Sequence, residues 1–453
     1  MKIIIAGCGK IGMTIVESLV KEGHDILIID KDDAVIQEIT NVFDVMGVCG
    51  NCVDSDVLEE ANVEKAELYL AITDSDELNM LSCFLARKMG VKHTVSRIRN
   101  PEYNDKSLMV MKNSLEISMP INPELLAARE LFNILKFPSA VKLERFSHRN
   151  MEMAEVVLRD ESPLDGVKLS EIRNKFKANV LVCCVQRGEE IFIPDGSFVL
   201  KSGDKIGLTA SHAEIQKLFR YTGLLKKQAR NVMILGGSRV AYYLAEMLAD
   251  IGASVKIIER DEKACGLLSD ALPKAVVING DGAQQELLLS EGLSRTDAFV
   301  ALTGLDETNV LISLFATRKG VPNVIAKVNR EELIPMAEDL GLDCIVSPKR
   351  IVSDVVVSYA RAIENSLGSN VEMLYKLMDD KVEALEFNVR ESSGVVGVPL
   401  KDLTLRKGAL IIGIIRERRL ITPAGDTEIQ LGDRVVVITV KQGLDDLADI
   451  IEK

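Results

Sequence analysis

The fold is decided near the start of the chain by the stretch Lys2-Ile3-Ile4-Ile5-Ala6-Gly7-Cys8-Gly9-Lys10-Ile11-Gly12. Its first residues form an apolar run typical of a buried strand, and glycines at G-x-G-x-x-G spacing follow at once. The segment from Ile11 to Glu22 is amphipathic and predicts a helix, and a second apolar run ends in Asp30. Strand, glycine turn, helix, strand and acid stand in the order of a dinucleotide-binding βαβ unit.

This motif predicts a site for a nucleotide pyrophosphate. Glycines let the main chain turn tightly and approach the phosphates, whose negative charge is stabilised at the N-terminus of a helix. Asp30 would accept hydrogen bonds from ribose hydroxyls and repel a 2′-phosphate, which favours NAD over NADP. The alternative is a glycine turn that only packs a helix on a sheet.

Composition sets limits on the class of protein. A length of 453 residues indicates about three or four domains, and the net charge of −13 argues against binding to nucleic acid or to anionic lipid. The longest apolar runs are shorter than a membrane-spanning helix requires, and no signal peptide precedes the first strand. We therefore expect a cytoplasmic protein. Cys49 and Cys52 have C-x-x-C spacing, but no second Cys or His pair completes a metal site.

Alternation of strands and helices continues after Asp30, with a sixth strand predicted at Ile117–Met119 and with Pro123 near the start of a helix. The opening pattern then recurs from Asn231, and the intervening β-rich segments are duplicated as well. Each of these small segments ends in a predicted helix, Ala213–Tyr221 in the first and Gly443–Ile451 in the second.

The chain is therefore predicted to be α/β, with two tandem units that each join a doubly wound parallel Rossmann-like sheet to a small α+β domain. The predicted Rossmann domains are residues 1–123 and 228–348, the small domains are residues 140–225 and 368–453, and the helical linkers are residues 124–139 and 349–367.

Two further stretches make a family recognisable. Thr73-Asp74-Ser75-Asp76-Glu77-Leu78-Asn79 follows the fourth strand, and Ser96-Arg97-Ile98-Arg99-Asn100-Pro101-Glu102-Tyr103 follows the fifth. With the tandem order of domains, these residues resemble the TrkA family, cytosolic regulatory subunits of Trk potassium uptake systems that are built from RCK (KTN) domains. The resemblance extends over essentially the whole chain.

The resemblance implies roles for individual residues. The pyrophosphate would lie along Gly7, Cys8, Gly9, Lys10, Ile11 and Gly12, with Asp30 on the adenosine ribose. Thr73 and Asp74 would line the crevice, and Arg97 would reach the phosphates. Each role has an alternative. Arg97 would then be a surface residue at a strand end, and Asp74 and Asp76 would cap the following helix. Asn79 is equally ambiguous and is left out of the predicted site.

The second copy departs from the motif, since Ser238 and Ala241 replace the second and third glycines. The Ser238 side chain would crowd the pyrophosphate, whereas Glu259 could still hold a ribose and Arg239 could meet a phosphate. A second site, for NAD or another nucleotide, is left open. Its candidate residues are Gly236, Gly237, Ser238, Arg239, Val240, Glu259, Asp281, Thr303 and Lys327.

Three classes of function remain at this point. An NAD-dependent oxidoreductase needs a general acid or base beside the nicotinamide, and none of the four histidines (His24, His93, His148 and His212) stands in such a context. Each is interpreted as a surface histidine, so we predict no catalytic residue. A structural scaffold with a fixed nucleotide is the second class. The third, which we favour, is a regulator whose nucleotide biases two arrangements of domains.

The resemblance also implies partners. Rossmann units would pair through the crossover helices Pro123–Lys136 and Pro348–Ala362 into a ring of eight, which four chains supply. This homotetramer would bind NAD(H), or ATP and ADP, beneath a TrkH/TrkG-type membrane subunit. Membrane association would depend on that subunit alone. Closed symmetry is the usual form of homo-oligomers.

Overall fold

The computed structural model describes residues 1–452 apart from 102, 104, 137–141, 146–150, 159, 161, 224–228, 343, 367–370, 379–380, 390–393, 418, 441–443 and 445. Parts of both predicted linkers, the predicted boundary at residue 228, and His148 therefore lie outside the described residues.

The first Rossmann domain contains a six-stranded sheet in the order β3-β2-β1-β4-β5-β6. Its strands are β1 Lys2–Ala6, β2 Asp25–Asp30, β3 Met46–Cys49, β4 Leu68–Ala71, β5 His93–Arg97 and β6 Met119–Ile121. Its helices are α1 Lys10–Lys21, α2 Asp33–Val42, α3 Ser55–Glu60, α4 Asp76–Lys88, α5 Asp105–Ser114 and α6 Pro123–Lys136. β1 pairs in parallel with both β2 and β4. The strand order reverses between β1 and β4, so a crevice opens at the carboxyl ends of these strands.

The first small domain is a five-stranded sheet in the order β10-β9-β11-β8-β7. Its elements are β7 Lys142–Arg145, β8 Glu152–Val157, α7 Leu169–Phe176, β9 Leu181–Arg187, β10 Glu190–Phe192, β11 Lys205–Ala210 and α8 His212–Tyr221. All its neighbouring strands are antiparallel. Asp204, from the repeated Gly-Asp pair, is fully buried and accepts hydrogen bonds from Arg187 Nε and Nη2 at 2.7 Å each.

The second Rossmann domain repeats the first, with the sheet order β14-β13-β12-β15-β16-β17. Its strands are β12 Asn231–Leu235, β13 Ser254–Glu259, β14 Ala275–Asn279, β15 Ala298–Ala301, β16 Asn323–Lys327 and β17 Ile345–Val346. Its helices are α9 Arg239–Asp250, α10 Glu262–Ala271, α11 Gln285–Ser290, α12 Asp306–Arg318, α13 Leu333–Asp339 and α14 Pro348–Ser366. As predicted, a proline begins each crossover helix, where its missing N–H costs no hydrogen bond.

The second small domain has the sheet order β18-β19-β22-β20-β21. Its strands are β18 Val371–Leu377, β19 Val382–Asn388, β20 Ala409–Arg416, β21 Arg419–Ile421 and β22 Arg434–Thr439. Arg416 and the buried Asp433 repeat the first domain's ion pair, with two hydrogen bonds of 2.8 Å. The tandem α/β architecture predicted from the sequence is confirmed.

Two local predictions were wrong. The sixth strand begins at Met119, not at Ile117, because Ile117 packs into the core just after Glu116 turns the chain with a φ of 54°. The last helix was predicted at Gly443–Ile451, whose start lies outside the described residues, and the described part of that range contains the short 3-10 helix Leu447–Ile450. Asp446 and Asp449 form a capping box at its N-terminus.

The chain divides into two compact units, and each unit combines domains that are not consecutive in the sequence. The first unit combines both Rossmann domains, as residues 1–131, 233–320 and 325–360, and the second combines both small domains, as residues 132–232, 321–324 and 361–453. Inside the first unit, the Tyr243 hydroxyl lies 3.1 Å from Asn122 Nδ2 and 3.3 Å from the Arg99 carbonyl oxygen. Among the described residues, no helix combines the length and apolarity that crossing a bilayer requires.

Candidate nucleotide-binding sites

The glycine loop of the first copy is packed directly against the end of β4. Gly7 has a φ of +91°, and a Cβ at this position would lie 2.7 Å from Thr73 N. A Cβ at Gly12 would lie 2.3 Å from the Gly7 carbonyl oxygen, so helix α1 approaches the loop closely. At Gly9, by contrast, a Cβ would meet no atom within 4 Å. Gly7 and Gly12 therefore shape the loop, whereas Gly9 leaves space above it.

Asp30 is bound to this loop. Its Oδ2 accepts the Cys8 main-chain N–H at 2.7 Å, and its Oδ1 accepts the Asp32 N–H at 3.1 Å. The Cys8 side chain is 3% exposed and points away from solvent, so only its main chain can face a ligand. Burial, and then the charge of Asp30, raises the pKa of the Cys8 thiol, which keeps it protonated.

The ends of β4 and β5 are joined by Asn79, whose side chain is fully buried. Its Oδ1 accepts hydrogen bonds from Thr73 N at 2.8 Å and from Thr73 Oγ1 at 2.7 Å. Its Nδ2 donates to the Thr73 carbonyl at 3.3 Å and to the Arg97 carbonyl at 2.9 Å. Asn79 therefore positions two predicted site residues. The sequence signal was its place in the Thr-Asp-x-Asp-Glu-x-Asn stretch, and it was left out because an asparagine there has several roles.

Arg97 lies in the crevice, and the alternative of a plain surface residue is wrong, since its side chain is 14% exposed. Its Nη1 donates to the Thr73 carbonyl at 3.3 Å, and its Nη2 lies 3.9 Å from Glu124 Oε1. Burial, then the charge of Arg99, lowers the pKa of the guanidinium. Within the described part of the chain, its buried Nε has no hydrogen-bond partner. A buried, unpaired cationic donor is suited to an anionic ligand.

Asp74 and Asp76 do not cap helix α4. The N-cap residue is Ser75, whose Oγ accepts the Leu78 N–H at 3.2 Å. Asp76 is buried and accepts the main-chain N–H groups of Arg99 and Asn100 at 2.8 Å each, which fixes the loop after β5. The capping interpretation is therefore wrong, because helix α4 begins at Asp76 and its N-cap is Ser75.

The structure brings together most of the predicted residues of the first copy: Gly7, Cys8, Gly9, Asp30, Thr73 and Arg97. Lys10, Ile11 and Gly12 form the first turn of α1, which has no side-chain cap. Asp74 is exposed, and its carbonyl rather than its carboxylate is bound, by Arg99.

The second copy repeats this geometry, but the N-terminus of its first helix, α9, has a side-chain cap. Glu259 Oε2 accepts the Gly237 N–H at 2.6 Å, as Asp30 does for Cys8. The Ser238 side chain caps α9 by accepting the Ala241 N–H at 3.4 Å, and Ala241 fits without a third glycine. Lys327 Nζ donates to the Leu302 carbonyl at 3.4 Å, and burial lowers its pKa.

The remaining candidates of the second copy shape its turns. Thr303 is bound by Asn309 as Thr73 is by Asn79, and Asp281 Oδ1 accepts the Ala283 N–H at 3.0 Å. Gly236 has a φ of +96° and packs against Leu302, whereas Arg239 is exposed and Val240 is buried.

The described cysteines and histidines among the other polar candidates lie in separate places. Cys49 is exposed while Cys52 is buried, and the described residues contain no group of three His, Cys, Asp or Glu side chains that could hold a metal. His24 is 8% exposed, so its interpretation as a surface histidine is wrong. His93 Nδ1 lies 3.4 Å from the Tyr359 hydroxyl, and His212 Nδ1 lies 2.8 Å from Glu152.

Comparisons with known proteins agree with the architecture. A family model described as the TrkA-N domain matches residues 3–116 and 232–348, and one described as the TrkA-C domain matches residues 153–223 and 384–452. The Trk system potassium uptake protein TrkA homolog of Archaeoglobus fulgidus is 32% identical over 99% of this chain and 100% of that protein. The Trk system potassium uptake protein TrkA of Vibrio alginolyticus is 29% identical over 98% of this chain and 96% of its own length.

Solved structures share the fold. The structure described as the GsuK RCK domain has a TM-score of 0.63 at 18% identity and covers 96% of this chain and 92% of its own. The GsuK channel bound to NAD also has a TM-score of 0.63 at 18% identity, covering 97% of this chain and 76% of its own. At 18% identity, this structural similarity shows a common fold and nothing further.

Proposed function

This chain belongs to the TrkA family, and we propose on that premise that it is the nucleotide-sensing regulatory subunit of a potassium uptake system. It binds NAD(H), or ATP and ADP, in its Rossmann crevices and is not an enzyme. The nucleotide-binding domains are residues 1–123 and 228–348, joined through the linkers 124–139 and 349–367 to small domains at 140–225 and 368–453.

One observation carries the proposal: the first crevice combines a helix N-terminus without a side-chain cap, the acid Asp30 bound to the glycine loop, and Arg97, whose buried Nε has no hydrogen-bond partner among the described residues. Helix N-terminus and guanidinium both attract phosphate, and the carboxylate accepts ribose hydroxyls. Gly7, Cys8, Gly9, Lys10, Ile11 and Gly12 follow the pyrophosphate, and Thr73 and Asp74 line its far side. NAD, which is bound in the GsuK channel structure, contains these groups, and so does ADP.

The second crevice binds nucleotide more weakly in this proposal. Ser238 occupies the space that Gly9 leaves open, and its hydroxyl already satisfies one N–H of the helix. Glu259, Arg239 and Lys327 still supply an acid and two cations. Gly236, Gly237, Val240, Asp281 and Thr303 complete the site as main-chain and turn residues.

The regulatory step is a shift between two arrangements of domains. A nucleotide can shift such an equilibrium only by its difference in affinity for the two states, so opposing signals need ligands that make different contacts. The partner is a TrkH/TrkG-type membrane subunit. The chain lies in the cytoplasm and reaches the membrane through that partner, since a net charge of −13 does not favour anionic lipid.

Ion flux tests this function directly. We expect potassium flux through the reconstituted membrane subunit with this chain to differ between NADH and NAD, or between ATP and ADP. Asp30→Ala should remove the difference, because it removes the ribose acceptor. Equal flux under all conditions with the wild-type chain would leave a structural scaffold as its function.

Self-association into a homotetramer with eight Rossmann units is part of the proposal. Leu81 and Leu311 occupy equivalent positions on α4 and α12 and are exposed, at 47% and 64%. Repeated exposed leucines beside the partly exposed Phe84 and Phe315 favour a protein contact.

We expect Leu311→Asp to break the tetramer, because a carboxylate in an apolar interface is left desolvated and unpaired. Light scattering should show the mass of four chains for the wild type and a smaller species for the variant. The control is Leu267→Asp on α10, where leucine is 73% exposed, which should stay tetrameric. A wild-type monomer would contradict the ring.

A further inference from the structure

A buried chain of hydrogen bonds runs from β4 to the loop after β3 in the first Rossmann domain. The Tyr69 hydroxyl lies 2.5 Å from Ser82 Oγ, and Ser82 Oγ donates to the Cys52 carbonyl at 3.0 Å. Tyr69 and Ser82 are fully buried, and Cys52 is 4% exposed. A serine hydroxyl has one proton, which goes to the Cys52 carbonyl, so Tyr69 must be the donor to Ser82.

The loop held by this chain, residues 50–53, lies against the acid of the proposed site. Gly50 N donates to the Asp30 carbonyl at 2.8 Å, and β3 pairs with β2 so that Cys49 stands opposite Asp30. Burial, and also the nearby charge of Asp30, raises the pKa of the Cys52 thiol. The loop therefore borders the place where a ribose would meet Asp30.

In the second copy, all the residues of this chain of hydrogen bonds are replaced. Its equivalent positions, identified by the repeat, are all apolar or small: Leu235 for Ala6, Gly282 for Cys52, Phe299 for Tyr69 and Ile312 for Ser82. A Cβ at Gly282 would lie 1.9 Å from Leu235 Cδ1, so the leucine fills the space that the Cys52 side chain takes in the first copy.

The replacement removes the side-chain support of the loop. Phenylalanine and isoleucine offer no hydroxyl. The loop of the second copy keeps the bond within its turn, in which Asp281 accepts the Ala283 N–H, and the first copy has this bond as well, from Val53 N to Asn51 Oδ1. Phe299 is fully buried, which shows that the ring alone packs in this fold. The polar chain of the first copy is therefore not required to build the sheet.

We propose that Tyr69 and Ser82 are positioning residues of the first nucleotide site, which hold loop 50–53 against the ribose of a bound adenine nucleotide. Their absence from the second copy is a second cause, besides Ser238, of unequal binding by the two sites. This inference rests on the proposed function. Its physical basis is that a buried carbonyl without a donor moves to regain one, and the loop moves with it.

The test uses the full-length chain titrated with ADP and with NADH by calorimetry. We expect Ser82→Ala to weaken the tighter site by about tenfold, within the effect of one lost buried hydrogen bond. Tyr69→Phe should weaken it less, because Ser82 still donates to the Cys52 carbonyl. Because both residues act through the same series of hydrogen bonds, the double variant should bind nucleotide no more weakly than Ser82→Ala. Hydrogen exchange should become faster at residues 50–54 in Ser82→Ala and in the double variant. Tyr375→Phe, which removes the hydroxyl of a buried tyrosine from the second small domain, should change neither measurement.

The possible results separate the two proposals. A wild-type chain that binds neither ADP nor NADH would refute the proposed function itself. Wild-type binding with both variants within twofold of it would overturn the positioning role and leave the function intact. Weaker binding with unchanged exchange at residues 50–54 would also overturn it, because the loop would not have moved. If Tyr69→Phe does not fold, Ser82→Ala decides the question alone.

Discussion

Gly7→Ala is expected to destabilise the first Rossmann domain by about 3 kcal/mol or more. Gly7 has a φ of +91°, and an added Cβ would lie within 2.7 to 2.8 Å of main-chain atoms of Ile72 and Thr73. These atoms belong to the end of β4 and cannot yield without moving the sheet. Hydrogen exchange of the intact chain should be about a hundredfold faster in β1 and β4.

Gly9→Ala is the matched control for this change. Gly9 has a φ of −64°, and no atom lies within 4 Å of an added Cβ, so we expect the exchange of β1 and β4 to stay unchanged. In the proposed site the methyl group would stand where the phosphates approach, so affinity for NADH should fall about tenfold or more. Equal stability of the two variants would contradict the role given to Gly7, and unchanged affinity in Gly9→Ala would contradict the phosphate position.

Asn79→Asp is expected to destabilise the same domain by about 3 kcal/mol at neutral pH. The new carboxylate keeps the acceptor for Thr73 but has no N–H for the carbonyls of Thr73 and Arg97, which lie 3.3 and 2.9 Å from Asn79 Nδ2. A buried carboxylate facing two carbonyl oxygens is repelled by both. Local exchange at the ends of β4 and β5 should report the loss.

The pH dependence of this variant follows from its new carboxyl group. Burial beside two carbonyls raises the pKa of that group in the folded state above its unfolded value, and its protonated form can again donate a hydrogen bond. The variant should therefore recover stability as pH falls through the raised pKa and lose it as pH rises. Wild-type stability has no such dependence from position 79. Asn309→Asp offers the control, since Asn309 makes the same four hydrogen bonds and should destabilise the second copy instead.

The local structure of several candidate site residues could be predicted, because it depends on their near neighbours in the sequence. Gly7 needs a conformation that other residues avoid, and Asp30 ends a strand whose length and direction follow from an apolar run. Asn79 and Asp76 could not be assigned from sequence, because their partners at Thr73, Arg97 and Arg99 lie on different strand ends. Only the parallel sheet brings those ends to one edge.

By itself the sequence determined the order of strands and helices, the internal repeat, the position of the glycine turn and the family. All but the family are properties of periodicity and spacing, which short stretches of chain carry independently of their neighbours. The family was inferred from a resemblance of particular motifs. The tertiary structure alone decided that the Rossmann domains share one unit and the small domains another, and that Tyr69, Ser82 and Cys52 form one chain of hydrogen bonds. Such contacts join residues far apart in sequence, where burial and geometry select the partner.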